Sequence, residues 1–167
     1  MLLMYTPDDY DEYSCLKPSL GLYVAIIFLM KDVVLIILEA MSKIVTKGGP
    51  ANSLAYFKDL VQPEMILVNI IGLLLFISFK KRVPQEQGFW KKISSKGKFL
   101  MMMAFSLHLA ILGIEQYLQM SEAYRWSKGI SLPLVIMIIV DAIFLSYVAT
   151  AKRIKDVFSD WPEAEQP

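Results

Sequence analysis

The sequence predicts an all-α membrane protein, a bundle of four transmembrane helices with both ends on the cytoplasmic side, and three observations predict it. Hydrophobic residues make up 56% of the 167-residue chain and its mean hydropathy is +0.48, above the roughly 45–50% apolar usage of soluble domains. The apolar residues are gathered into four blocks, at about 20–43, 63–79, 99–118 and 130–150, instead of being spread through amphipathic patterns. Lysine and arginine crowd the connections on one side of those blocks and are sparse on the other. A helix needs about 20 residues to cross the roughly 30 Å hydrocarbon layer, with about 17–25 tolerated, so each block fits one crossing.

Residues 1–19 form an acidic cytoplasmic N-terminal segment. Asp8, Asp9, Asp11 and Glu12 interrupt it, whereas a cleaved signal peptide would have a basic start and an unbroken apolar core. The first block is therefore expected to stay as a span. The second block is the shortest, and Lys80, Lys81 and Arg82 after it can snorkel to the interface. Pro63 and Pro133 fall near helix starts, where a missing backbone donor costs little.

Orientation follows from the basic residues. The 80–98 connection holds Lys80, Lys81, Arg82, Lys91, Lys92, Lys96 and Lys98 against the single acid Glu86, and the tail 151–167 adds Lys152, Arg153 and Lys155. With Lys17 this side outnumbers the opposite one, which holds Lys43, Lys47, Lys58, Arg125 and Lys128. The positive-inside rule gives an N-in, C-in topology, and Trp90 on one side with Tyr117, Tyr124 and Trp126 on the other match aromatic belts. Residues 44–62 open on "TKGGPANS", and Leu54, Phe57, Leu60 and Val61 then share a helical face, which predicts a short amphipathic connector on the outer surface. On the inner side, the acidic "DDYDE" is expected either to meet the basic 80–98 loop or to remain a solvated tail, and the last helix to continue along the inner surface through Ile154, Val157 and Phe158. The inner basic residues favour anionic lipid headgroups. Nothing reads as a nucleic-acid-binding face.

The informative residues are ionisable groups inside the spans, where a charge costs about 2.5–3.5 kcal/mol on translocon scales. Lys31 and Asp32 interrupt span one, His108 span three and Asp141 span four, all at similar depth. Adjacent residues point about 100° apart, so neutralisation is expected between helices, Lys31 with Asp141 and Asp32 with His108. Glu39 and Glu115 follow Asp32 and His108 by seven residues, and Asn69 lies on span two; together they predict a polar seam toward the outer side. Such a seam serves either as interhelical glue or as a proton or ion path. No catalytic, cofactor or metal constellation is legible. His108 is the only histidine, Ser106 lies nearly opposite it on a helix, Cys15 has no partner cysteine, and the glycines of "KGGP" form no phosphate loop. Met101, Met102 and Met103 splay around the helix as lipid-facing or gap-filling side chains.

The opening "DYDEYSCLKPSLGLYVAIIFLMKDVVL" and the close "DAIFLSYVATAKRIKDVFSDWPE" resemble the two ends of YfeZ-like bacterial inner-membrane proteins, a family without an established activity. Tyr10, Asp11, Leu16, Lys17, Pro18, Lys31, Asp141, Arg153, Phe158, Asp160 and Pro162 carry the resemblance, with Lys31 where an arginine is expected. It implies a multi-pass protein of the bacterial inner membrane. The expected role is non-enzymatic: an accessory or scaffold subunit, without cofactor, that binds a protein or lipid partner or a second copy of itself. The alternative is a small proton- or ion-coupled transporter using Asp32, His108, Glu115 and Asp141.

Overall fold

The computed structural model describes residues 5–45, 65–122 and 132–163, and among these the chain is all-helical. Its helices are α1 (Leu20–Leu29), α2 (Lys31–Val45), α3 (Ile66–Lys80), α4 (Phe89–Ser95), α5 (Gly97–Glu122), α6 (Leu132–Thr150) and α7 (Lys152–Ser159), preceded by a 3-10 turn at Pro7–Asp9. The outer-connector helix expected within 44–62, the start of span two at Pro63, and Tyr124 and Trp126 lie wholly or largely outside the described residues.

Ser19 starts α1 by accepting the Leu22 N–H on its hydroxyl at 3.3 Å. The apolar run that follows is not one straight helix over 20–43. It breaks at Met30, and α1 and α2 are bent by 73°. Neither proline nor glycine stands at the break. Instead a side chain from α3 is inserted there: Asn69 Oδ1 accepts the Asp32 backbone N–H at 3.2 Å, an amide that the helix ladder leaves without a partner. Gly72, one turn further along α3, lets the two backbones approach, since a Cβ there would lie 3.1 Å from Met30 N and Leu29 Cβ.

The other blocks hold as helices with altered limits. α3 has 15 residues, about 22 Å at 1.5 Å per residue, and α5 has 26, about 39 Å. Gly97–Glu115 is one helix long and apolar enough to cross a membrane, and up to three crossings result if each bent pair is a single span. α5 packs along α6, and α3 lies between α1 and α5.

Both tails meet at one end of the bundle, together with the connection after α3. There α7 turns 66° from α6 and buries Ile154, Val157 and Phe158. That apolar face packs on protein: the Phe158 ring stacks on Phe79 at 5.2 Å and fills the space that Gly97 leaves open. The acidic N-terminal segment docks on α7 through Asp9 to Arg153 at 2.8 Å and Tyr5 to Asp156 at 2.6 Å, and it meets the 80–98 connection where Arg82 donates to the Leu16 carbonyl.

The core has two parts. A large cluster at the tail end includes Leu22, Ile26, Leu29, Leu75, Met101, Phe105 and Val148, and a small one at the far end joins Met65, Leu112 and Leu134. Between the two lies a layer of polar side chains.

A candidate functional site in a buried polar layer

Four helices bring their polar residues to one level. Counted from the tail end, Met30, Asn69, His108 and Asp141 lie about 14–17 Å along their helices. On α5 His108 falls between Phe105 and Leu112, and on α6 Asp141 falls seven residues from both Leu134 and Val148, so apolar layers lie on either side. These side chains are enclosed: relative exposure is 3% for Asp32, 4% for Asn69, 1% for His108 and 0% for Asp141.

The expected residues come together, but their pairing differs from expectation. Lys31 does not reach Asp141. Its Nζ lies 3.2 Å from His108 Nε2 and 3.6 Å from Asp32 Oδ1. Asp32 does not meet His108; its Oδ2 accepts from Asn69 Nδ2 at 2.7 Å. His108 turns its other nitrogen to Asp141, with Nδ1 2.6 Å from Oδ2. The break explains the exchange. Lys31 and Asp32 form the first turn of a new helix set at 73° to α1, and its N-terminus favours the Asp32 carboxylate.

Asn69 is used on every side. It donates to Asp32 and to the Met65 carbonyl at 2.9 Å while capping the Asp32 N–H. Asp141 is the opposite case. Its carboxylate has a close contact with His108 but no hydrogen bond of good geometry among the described residues, because the ring N–H is not aligned with it. A buried carboxylate in that state depends on its one close ionisable neighbour.

Beneath the layer the rings of Phe28, Phe105 and Phe144 form an aromatic floor, with centroids 5.2 Å apart for Phe28–Phe144 and 5.7 Å for Phe105–Phe144. Phe28 also meets the His108 ring edge-on at 6.0 Å. Of the expected outward seam, Asp32 and Glu39 both stand on α2 beyond the 73° bend, and the Glu39 side chain lies outside the described residues. Glu115 is half-buried on α5 and has interactions of its own. No group of three metal-ligating side chains occurs among the described residues.

Sequence reasoning passed over Arg82, which it read only as a snorkelling cation. Arg82 is 5% exposed and donates to the Leu16 carbonyl at 2.9 Å, the Val157 carbonyl at 3.2 Å and the Asp160 carbonyl. Asp160 in turn accepts the Leu16 N–H at 2.6 Å. One guanidinium thus ties the N-terminal segment and the C-terminal tail to the end of α3. Cys15, 2% exposed beside this clamp, has its thiol pushed up to about 11 by burial. The run of basic residues after a short apolar block was the available signal, but it does not say which member turns inward.

A sequence model described as a protein of unknown function, DUF2919, matches residues 5–160. No curated protein and no solved structure matches the chain.

Proposed function

The chain belongs to the family of proteins of unknown function DUF2919, and we propose that this member is a multi-pass protein of the bacterial inner membrane that acts as a non-enzymatic scaffold or accessory subunit. It crosses four times with both tails in the cytoplasm; α3 is the short crossing, flanked by Lys80 and Lys81. The distribution of polarity supports the membrane reading. Leu20, Leu132, Ile66 and Phe99 are 65–80% exposed, while Asp32, Asn69, His108 and Asp141 are enclosed, the inverse of a soluble domain and the arrangement expected in lipid. The basic 80–98 connection and the resemblance of both chain ends to YfeZ-like proteins support the orientation and the compartment.

One observation carries the scaffold reading: the polar layer lies across the bundle, with apolar clusters toward both ends. A transport path needs a hydrated route to both surfaces, whereas groups joined to one another at a single depth bind helices together. The exposed apolar face of α2, with Ile36, Ile37, Leu38 and Met41 all above 50% exposed, is available to a protein or lipid partner. A second reading, proton-coupled transport, is favoured by the unbonded carboxylate oxygens of Asp141. Proton flux in sealed proteoliposomes separates the two. The scaffold reading predicts wild-type flux equal to protein-free vesicles, and flux that disappears in both Asp141→Asn and His108→Gln would replace it with the transport reading.

A further inference from the structure

We propose that His108 is a proton-binding site, and that its occupancy moves Lys31 from His108 to Asp32 and unties α2 from α5. Donors and acceptors set the tautomer of the ring. An ammonium has three donors and no acceptor, and Lys31 Nζ stands 3.2 Å from His108 Nε2. Nε2 must then present its lone pair, which leaves the ring proton of the neutral imidazole on Nδ1, the nitrogen 2.6 Å from Asp141 Oδ2. The next proton can enter only at Nε2, the position that Lys31 holds. A proton from water adds to that lone pair and nothing leaves the ring, so an N–H now opposes an ammonium and the two cations must part.

Charge and exposure decide which one moves. His108 faces Lys31 from α2 and Asp141 from α6, with the uncharged Phe28 ring from α1. Asp32 lies beyond Lys31; Asn69, from α3, is neutral and is engaged with Asp32. On α5 itself the nearest acid toward the far end is Glu115, about two turns away and with interactions of its own. With a neutral ring the layer holds one cation, Lys31, and two carboxylates, Asp32 and Asp141. A proton on His108 converts this into two matched pairs, His108 with Asp141 and Lys31 with Asp32, so the net charge of the layer favours uptake. The Lys31 side chain is 22% exposed, against 4% for Asp32, 1% for His108 and 0% for Asp141. It stands at the first residue after the break and has Asp32 at 3.6 Å to receive it. The bond given up joins α2 to α5 across the hinge at Met30. Proton binding thereby loosens from α5 the helix that carries the exposed apolar face, while Asp32 and Asn69 still join it to α3. This site does not depend on the scaffold reading, since a protein with or without a partner titrates the same ring.

Nitrogen-15 NMR of histidine-labelled full-length protein in nanodiscs tests the proposal, because the single histidine makes the signals unambiguous. The neutral ring is expected to be the Nδ1–H tautomer. In Lys31→Met, the titration of the ring is expected to differ from that of the wild type, as the cation opposing Nε2 is gone. Spin labels at Leu38→Cys and Met103→Cys in a Cys15→Ser background are expected to report a broadened α2–α5 distance on acidification, and no change in His108→Gln. An Nε2–H tautomer in the wild type, which needs no altered protein, would overturn the assignment. Unchanged titration in a folded Lys31→Met would do the same, and a pH-independent distance would remove the coupling to α2.

Discussion

Asn69 and Asp32 make two hydrogen bonds to each other, one from the Asn69 amide to the Asp32 carboxylate at 2.7 Å and one from the Asp32 backbone N–H to the Asn69 oxygen at 3.2 Å. A single side chain of α3 thus both holds the buried charge and caps the helix that begins at the break. Asn69→Leu keeps the volume and removes these bonds, leaving a buried N–H without a partner. The expected loss is about 1–3 kcal/mol, measured by denaturant unfolding in detergent. Ile70→Leu, on the exposed side of the same helix, is expected to stay within about 0.5 kcal/mol of wild type.

Gly72 sets how closely α3 approaches the break. Its added Cβ would press on the Met30 backbone nitrogen and Leu29 at 3.1 Å, and neither is the free end of a flexible side chain. Gly72→Ala is therefore expected to destabilise by about 1–3 kcal/mol in the same unfolding assay. An unchanged midpoint would mean that the two backbones separate without cost.

Cys15 offers a reporter for the clamp at the tail end. Buried, and with its thiol at about 11, it is expected to react slowly with a maleimide at neutral pH. Arg82→Gln leaves the Leu16, Val157 and Asp160 carbonyls without their shared donor. Alkylation is expected to accelerate about tenfold, the equivalent of about 1.4 kcal/mol of lost docking. An equal rate in both proteins would show that Arg82 does not hold the N-terminal segment.

Docking of that segment on α7 is expected to depend on pH at both extremes. Tyr5, whose hydroxyl donates to Asp156, is raised from 10.0 to about 12, chiefly by that hydrogen bond. Its contribution is complete below 10.0 and disappears as pH rises through about 12. Asp9 is lowered from 3.8 by the Thr6 backbone N–H and then by Arg153, so its contribution is complete above 3.8 and fades as pH falls through the lower folded value. Hydrogen-exchange protection of residues 151–160, taken relative to the intrinsic rate at each pH, is expected to be flat between these limits and to fall outside them. Tyr5→Phe is expected to remove the alkaline limb alone.

Helix content and depth were legible because hydropathy and a rise of 1.5 Å per residue place Lys31, His108 and Asp141 without any knowledge of packing. The break at Met30 was not. Its cause is the Asn69 side chain on another helix, and "FLMKDVV" contains neither proline nor glycine to announce it. Pairing went astray for the same reason, since the bend re-aims Lys31 toward His108 and leaves Asp32 to Asn69. Arg82 illustrates a further limit: one basic residue in a run of three turns inward only because carbonyls of two distant segments converge on it.

The claim that the polar layer is an internal lock between helices rests most directly on His108 and Asp141, and a double-mutant cycle on their stability tests it. His108→Leu alone is expected to be strongly destabilising, because it leaves a fully buried carboxylate without its close imidazole neighbour. Adding Asp141→Leu is expected to recover most of the loss, with a coupling energy of at least about 0.6 kcal/mol. Two substitutions whose costs simply add, within about 0.3–0.5 kcal/mol, would contradict the lock and leave the pair's contact without energetic meaning.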